Sequence, residues 1–205
     1  AKQNLPRYAT GQNLDSLSEI FHNTYRLQPT AARTTLGFSI TTALDKEYVI
    51  TDEIEVTVDG YINFATTGYL TFPAGETYAE VEAVCTTLGE DGNGFTPGQV
   101  SRLVTEEFLY FKEVANTTET AGGSGEESDT AYYNRMRESE ESYTTAGPRG
   151  SYIYHAKAVS SQISDVSAES PQDGVADIRI MLYGGELPSE ELIKEVQAYL
   201  SADDI

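Results

Sequence analysis

The stretch Gly122-Gly123-Ser124-Gly125-Glu126-Glu127-Ser128-Asp129 divides the chain into two parts with different hydrophobic patterns. Before it, apolar residues alternate with polar ones, as in half-buried strands. After it they recur about every 3.6 residues, as in amphipathic helices. The two adjacent glycines end one structural unit, and the Ser128-Asp129 pair offers an N-cap for a helix over 130–145. The stretch therefore predicts a domain boundary followed directly by a helix.

The part after this boundary has the pattern of a small α+β domain. The sequence predicts helices at 130–145 and 151–162, strands at 166–169 and 175–183, and a last helix from Ser189. One face of the first helix holds Tyr132, Met136, Ser139 and Tyr143. The last helix has an apolar stripe, which is expected to pack against the strands. The order helix, helix, strand, strand, helix predicts an α+β sandwich.

The part before the boundary begins with an amphipathic helix over 13–27, which Pro29 ends. Its apolar face consists of Leu14, Leu17, Phe21 and Tyr25. Alternating apolar residues from position 34 to about 114 then predict antiparallel strands. Asp59-Gly60 predicts a two-residue hairpin turn. A second hairpin is predicted from strands at 69–72 and 78–85, and a further strand at 108–114.

These patterns predict an α+β chain with an N-terminal helix, an antiparallel β-rich domain and a small α+β sandwich domain. The predicted boundaries are a helical segment at 1–31, a β-rich domain at 32–121 and an α+β domain at 122–205. Because the chain starts at Ala1 without a methionine and stops just after a helix, we expect it to be a piece of a longer protein.

The charge balance restricts the partners of this chain. Its 33 acidic and 13 basic residues give a net charge of −20. Such a surface repels phosphate backbones and anionic lipids, so nucleic-acid and membrane partners are not expected, whereas partners with basic patches are favoured. Cys85 is the one cysteine, which excludes an internal disulfide, and its place in an alternating strand predicts a small buried hydrophobe.

The sequence offers little that points to catalysis or to a bound cofactor. His22 and His155 lack cysteines or further histidines at metal-ligand spacing. Asp91-Gly92-Asn93-Gly94, in the loop 89–98, departs from the calcium-loop pattern and is typical of a turn, although a cation there stays open. We therefore predict no catalytic residue, no cofactor and no metal ligand.

Several segments taken together resemble the baseplate J-like family. They occur in the family's order, and they are Gly11 to Asp15 with Arg26, Asp59-Gly60 to Phe64, Gly75 to Gly98, Val114-Ala115-Asn116, Gly122-Gly123, and the closing strand and helix. Members of this family build the wedges of contractile-tail baseplates in phages and related injection systems. The resemblance implies a structural virion protein that pairs with a second copy and with a different wedge protein in a ring around the tail hub, assembled in the bacterial cytoplasm.

The two helices after the boundary are the candidate interface. Tyr132, Arg135, Tyr143 and Tyr152 lie on or near them, and tyrosine and arginine are enriched at protein interfaces. The other interpretation is that these helices only cover their own sheet. Two further functions stay open, a β-rich module that binds carbohydrate or a host receptor and a hydrolase that uses paired carboxylates.

Overall fold

The structure, a computed structural model, describes residues 2–22, 24–139 and 149–201, with only the backbone at positions 21 and 22. The chain forms two compact units. Unit 1 comprises Ala1–Pro29 and Gly125–Ile205, and unit 2 comprises Thr30–Ser124. The α+β class with an N-terminal helix and an antiparallel β-rich part is confirmed. The division at 1–31, 32–121 and 122–205 stays a prediction that limited proteolysis can test.

Unit 2 is built from antiparallel strands. They are β1 Ala31–Ile40, β2 Tyr48–Ile50, β3 Glu55–Thr57, β4 Asn63–Thr66, β5 Leu70–Phe72, β6 Tyr78–Leu88, β7 Arg102–Leu103 and β8 Phe111–Asn116. Six of them form one sheet in the order β7-β3-β4-β6-β1-β8, and β2 pairs with β5. The long strands β1 and β6 run side by side in the middle of the sheet, with Leu36 opposite Val81.

The core of unit 2 follows from the period of two along its strands. Alternate residues of β1, β3, β4 and β6 point to one apolar interior, which is typical of a sheet with one wet face. Phe64 is fully buried, lies opposite Val56 and Cys85 in the two neighbouring strands, and contacts the ring edge of Phe95. Cys85 is buried, as predicted for a small hydrophobe on a strand.

The turn at Asp59-Gly60 is longer than the two-residue hairpin that we predicted. The amide of Val58 donates to the carbonyl of Ile62 at 3.2 Å, so residues 59–61 form the loop. One carboxylate oxygen of Asp59 accepts the amides of Tyr61 at 2.8 Å and Ile62 at 3.0 Å. These hydrogen bonds lower the pKa of Asp59. The aspartate thus supplies the acceptor that closes a wider loop.

The predicted hairpin between strands at 69–72 and 78–85 is wrong. Strand β5 pairs with β2 instead, with Tyr48 opposite Phe72 and Ile50 opposite Leu70. The pairing with β2 brings apolar side chains together, because Tyr48 stacks on Phe72, and Ile50 and Leu70 are both buried. The strand predicted at 108–114 begins only at Phe111 and continues to Asn116.

Unit 1 has the predicted order of helices and strands. Its elements are α1 Gln12–His22, α2 Asp129–Glu138, α3 Arg149–Val159, β9 Ile163–Gln172, β10 Val175–Leu182 and α4 Glu190–Leu200. Strands β9 and β10 form an antiparallel hairpin. The hydroxyls of Ser128 and Ser189 cap α2 and α4 by accepting the amides of Ala131 at 3.2 Å and Leu192 at 3.3 Å, which confirms both predicted helix starts.

The described residues of unit 1 form two small apolar cores instead of one large one. The first packs α1 against α2 through Leu14, Tyr132 and Met136. The second packs α3 and α4 on the β9–β10 hairpin through Ala156, Ile163, Val166, Leu192 and Val196. Neither core is large, so the unit needs other interactions to hold its segments together.

The first helix ends earlier than predicted. Helix α1 stops at His22, and Tyr25, predicted on its apolar face, lies beyond it with 60% of its surface exposed. The hydroxyl of Ser18 donates to the carbonyl of Thr24 at 2.9 Å, which holds the chain in its turn away from the helix. Tyr143 and the break at 146–148 lie outside the described residues.

Candidate functional site

Charged side chains from distant parts of the chain meet inside unit 1. Arg26, Asp15, Glu127, Asp129 and Arg135 surround the ring of Tyr132, and we call this group the arginine cluster. The residue Tyr132 is 1% exposed and Arg135 is 5% exposed. Asp15 and Arg26 come from the N-terminal segment, whereas the other members lie in α2 or directly before it.

Arg135 and Glu127 form a buried bidentate ion pair. The Nε of Arg135 donates to Oε1 of Glu127 at 2.9 Å, and its Nη2 donates to Oε2 at 2.7 Å. The same Nη2 donates to the carbonyl of Tyr25 at 2.6 Å, and Oε2 of Glu127 accepts the amide of Leu27 at 3.1 Å. Burial opposes the charge of Arg135, but the hydrogen bonds and charge of Glu127 outweigh it and hold the pKa of Arg135 above its usual value.

Arg26 connects α1 to the first turn of α2. Its Nε donates to Oδ1 of Asp15 at 2.9 Å, and its Nη2 donates to Oδ1 of Asp129 at 2.6 Å. Its Nη1 donates to the carbonyl of Glu127 at 2.6 Å. Asp129 also accepts the amide of Gly11 at 3.2 Å. The bond from Arg26 is the main cause of the lowered pKa of Asp129.

Both guanidinium groups lie over the ring of Tyr132. Its ring centre is 4.7 Å from Cζ of Arg26 and 5.6 Å from Cζ of Arg135, distances at which a cation is attracted to an aromatic face. Its hydroxyl donates to the carbonyl of Thr24 at 2.7 Å. The arginine cluster therefore holds the N-terminal segment on α2. Its carboxylates are paired with arginines, which suits a structural joint.

A second polar network lies in unit 2, between the chain before β7 and the end of β8. The buried side chain of Asn116 accepts the amide of Val100 at 2.9 Å and donates to the carbonyls of Phe95 at 3.3 Å, Thr96 at 3.1 Å and Thr118 at 2.8 Å. We call this network the amide bridge. Since β7 and β8 are the two end strands of the sheet, the amide bridge draws its edges together into a nearly closed barrel.

The loop 89–98 is tied down within unit 2 by Asn93. The side-chain amide of Asn93 donates to the carbonyl of Gly123 at 2.7 Å, and its oxygen accepts the Gly123 amide at 2.9 Å. A Cβ on Gly123 would overlap the carbonyl of Gly89. This overlap explains the glycine at position 123. The two hydrogen bonds of Asn93 give that residue a structural role. Among the described residues, no group of three or more potential ligands could hold a metal ion.

The four candidate interface residues have different surroundings. Tyr132 and Arg135 are buried in the arginine cluster, Tyr143 lies outside the described residues, and Tyr152 is half-buried on α3. Tyr152 borders an open groove of about 490 Å³, lined also by Ile178, Ile180, Ile193 and Leu200. We call it the Tyr152 groove. The interface role of all four residues stays a prediction.

Sequence analysis missed most of the arginine cluster. It singled out Arg135 and Tyr132, and it gave Asp129 a capping role with Ser128, but it assigned no ion pair to Asp15, Glu127 or Asp129. Arg26 and Asp129 are 103 positions apart, so no local spacing links them. The one signal in the sequence is that Asp15 and Arg26 occur in the segments on which the family resemblance rests.

His155 and the helices were the remaining features of the described residues with a possible functional role. His155 is half-buried between the rings of Tyr154 and Tyr199, and burial lowers its pKa. The side chain of His22 lies outside the described residues. None of the helices that the structure describes is both long and apolar enough to cross a membrane.

Two family models match the chain. The model described as the Baseplate J-like protein barrel domain matches residues 35–123, and the Baseplate J-like central domain matches residues 144–205. The first match falls within unit 2. Together the two matches cover more than half of the 205 residues.

The chain is also similar to a solved structure. A chain in the cryo-EM structure of the anti-feeding prophage (AFP) baseplate aligns at 12% identity with a TM-score of 0.44. The alignment covers 84% of this chain and 55% of that one, so this chain spans about half the length of that protein. No curated protein matches this chain.

Proposed function

Because the chain belongs to the baseplate J-like family and has a structural role in the baseplate of a phage or phage-like particle, we propose that it is a wedge component. The observation that carries this proposal is the barrel-domain match over residues 35–123, which coincides with the nearly closed sheet of unit 2. The chain assembles in the bacterial cytoplasm and acts in the finished particle.

We propose that the chain acts without catalysis. Two carboxylates of the arginine cluster, those of Glu127 and Asp129, form ion pairs with arginines. A catalytic carboxylate needs a pKa matched to proton transfer near neutral pH, whereas the pKa of Asp129 is lowered. These carboxylates therefore support a rigid scaffold better than they support acid–base chemistry.

The partners that we propose are a second copy of the chain and a different wedge protein, joined in a ring around the hub. The Tyr152 groove is the part of the predicted interface with an accessible apolar lining, because Ile193 is exposed and Tyr152 is half-buried. Aromatic anchors in apolar grooves are common centres of interfaces. Tyr132 and Arg135 contribute indirectly, because they are buried and fix the position of α2, the helix that precedes α3 and Tyr152.

Co-expression with the neighbouring wedge protein tests this function. Size-exclusion chromatography with light scattering should show a complex that weakens when Tyr152 or Tyr143 is replaced by glutamate, with the fold intact by circular dichroism. Tyr183→Glu is the matched control, because Tyr183 is an exposed tyrosine of unit 1 outside the groove. A chain that stays monomeric with every baseplate protein, and binds a glycan or turns over a substrate instead, would contradict the proposal.

A further inference from the structure

A turn on unit 2 exposes two large apolar side chains side by side. The amide of Phe111 donates to the carbonyl of Phe108 at 3.1 Å, which closes a four-residue turn with Leu109 and Tyr110 at its tip. Leu109 is 64% exposed and Tyr110 is 38% exposed. Phe108 and Phe111 pack against the core, with ring centres 5.3 Å apart. We call this element the Leu109–Tyr110 turn, and its base is rigid.

The backbone of this turn is unfavourable for the residue that it carries. Tyr110 has a φ of 68° and is the one non-glycine residue with positive φ in the described part of the chain. A turn with positive φ at its third residue favours glycine or asparagine, because a Cβ clashes with the backbone in that conformation. The carbonyl of Tyr110 accepts the amide of Thr41 at 2.8 Å, a bond that glycine would make equally well.

Neither side chain at the tip is explained by the fold. Phe108 and Phe111 pack against the core, whereas Leu109 and Tyr110 are not part of it. The hydrogen bond of the turn comes from the backbone, so it does not need a tyrosine at the position of positive φ. Strain kept in this way is typical of residues selected for binding. A leucine and a tyrosine on a rigid base present apolar area at a low cost in conformational entropy.

The charges around the turn indicate the kind of partner. Glu106 and Glu107 precede it and are exposed, and Glu113 follows it. Lys112, the basic residue in this segment, is paired with Glu113 at 3.2 Å. The apolar tip thus has an acidic rim. A partner with an apolar pocket bordered by lysine or arginine would be complementary to it, whereas a second copy of this chain, with a net charge of −20, would not.

We propose that the Leu109–Tyr110 turn is a docking element that inserts into a basic-rimmed apolar pocket of a different protein of the same baseplate. This inference rests on the proposed function. It names a contact on unit 2, separate from the Tyr152 groove of unit 1, and it assigns the strained tyrosine to binding.

The variant Tyr110→Gly separates binding from folding. Its thermal midpoint should equal or exceed that of the parent, because glycine relieves the positive φ. The other baseplate proteins of the particle, each purified separately, are titrated against the parent, Tyr110→Gly and Leu109→Ser. One of them should bind with an affinity that falls at least about tenfold in each variant, as for a central hot spot, and that weakens with added salt.

Tyr61→Ser is the matched control, because Tyr61 is 86% exposed in another turn of unit 2 and its own φ is not positive. It should bind as the parent does. Three results would overturn the inference and leave the proposed function standing. They are a lower thermal midpoint in Tyr110→Gly, an unchanged affinity in both variants, and a loss of self-association in place of a loss of binding to a different protein. Failure of every baseplate protein to bind the parent would overturn both.

Discussion

Unit 2 and unit 1 are stabilised by different means, although one chain forms both. Unit 2 has one continuous apolar core, and its main buried polar network, the amide bridge, is uncharged. Unit 1 has two small apolar cores, and its N-terminal segment is held by the charges of the arginine cluster. A large core stabilises through burial of area, whereas buried ions stabilise only while every partner is present. Unit 1 should therefore be the more sensitive to single substitutions and to acid.

The largest effect is expected for Arg135→Ala in unit 1. The change leaves the carboxylate of Glu127 buried without its ion pair, and breaking a buried pair in this way costs about 3–5 kcal/mol. Urea denaturation followed by hydrogen exchange should show early loss of protection in α1 and α2 while unit 2 stays protected. The control is Arg179→Ala, because the pair between Arg179 and Asp177 is exposed and exposed ion pairs contribute little to stability. Equal stability of the two variants would contradict this account of unit 1.

A smaller loss is expected for Asn116→Leu in unit 2. Leucine removes all four side-chain hydrogen bonds of the amide bridge, and each buried group left without a partner costs about 1–3 kcal/mol unless water reaches it. We expect a loss of about 3 kcal/mol, measured by urea denaturation, with exchange protection lost first at β7 and β8. Asn134→Leu, at an exposed amide of α2, should change stability little. If Asn116→Leu were as stable as the parent, the sheet would not depend on the amide bridge.

Gly123→Ala should cost about 2 kcal/mol, because the new methyl group would overlap the carbonyl of Gly89 and force the loop apart. Gly125→Ala is a close control two residues away, since a Cβ there meets no atom within 4 Å and the backbone has no positive φ. Thermal unfolding of the two variants gives the comparison. A midpoint for Gly123→Ala equal to that of Gly125→Ala would show that the loop 89–98 adapts freely.

The smallest expected effect is a loss of stability of unit 1 at acid pH. Burial lowers the pKa of His155 in the folded state, so the unfolded chain takes up this proton first. Stability of unit 1 should fall as pH drops below about 6.5, the value of an unperturbed histidine. The lowered pKa of Asp129 adds a second loss as pH falls below 3.8, its ordinary value. Unfolding midpoints measured from pH 8 to pH 3 check both steps.

Two variants separate the steps. His155→Phe should remove the upper step and keep the lower one, since phenylalanine suits the site between two tyrosine rings. Asp129→Asn should do the reverse. Unit 2 also contains an aspartate with a lowered pKa, Asp59, so only the upper step distinguishes the units. An upper step of equal size in unit 2 would remove the contrast.

Local patterns predicted much of the fold. Alternation along the strands predicted the buried place of Cys85, and the capping serines predicted where α2 and α4 begin. Pairing was harder, because β5 follows β4 and precedes β6 in the chain yet pairs with β2. A turn signal predicts that the chain reverses, but which strands pair depends on side-chain packing between segments that are separated in the sequence.

The candidate site was less accessible to sequence analysis than the fold. Tyr132 and Arg135 are of residue types that are common at interfaces, yet they lie in the interior of unit 1. Tyrosine and arginine serve in both places, so residue type alone does not distinguish them. Exposure distinguishes them, and it depends on the N-terminal segment that covers α2.

The sequence by itself determined the α+β class, the starts of the capped helices, the acidic surface and membership of the family, because each of these follows from neighbouring residues, overall composition or the order of motifs. Only the tertiary structure decided that Arg26 and Arg135 flank Tyr132, that Asn116 joins the two ends of the sheet, and that Tyr110 carries a strained backbone at an exposed tip. The physical reason is separation along the chain. A helix or strand forms from contacts within a few residues, whereas a buried charge finds its partner far away in the sequence, as Arg26 does with Asp129 at a separation of 103.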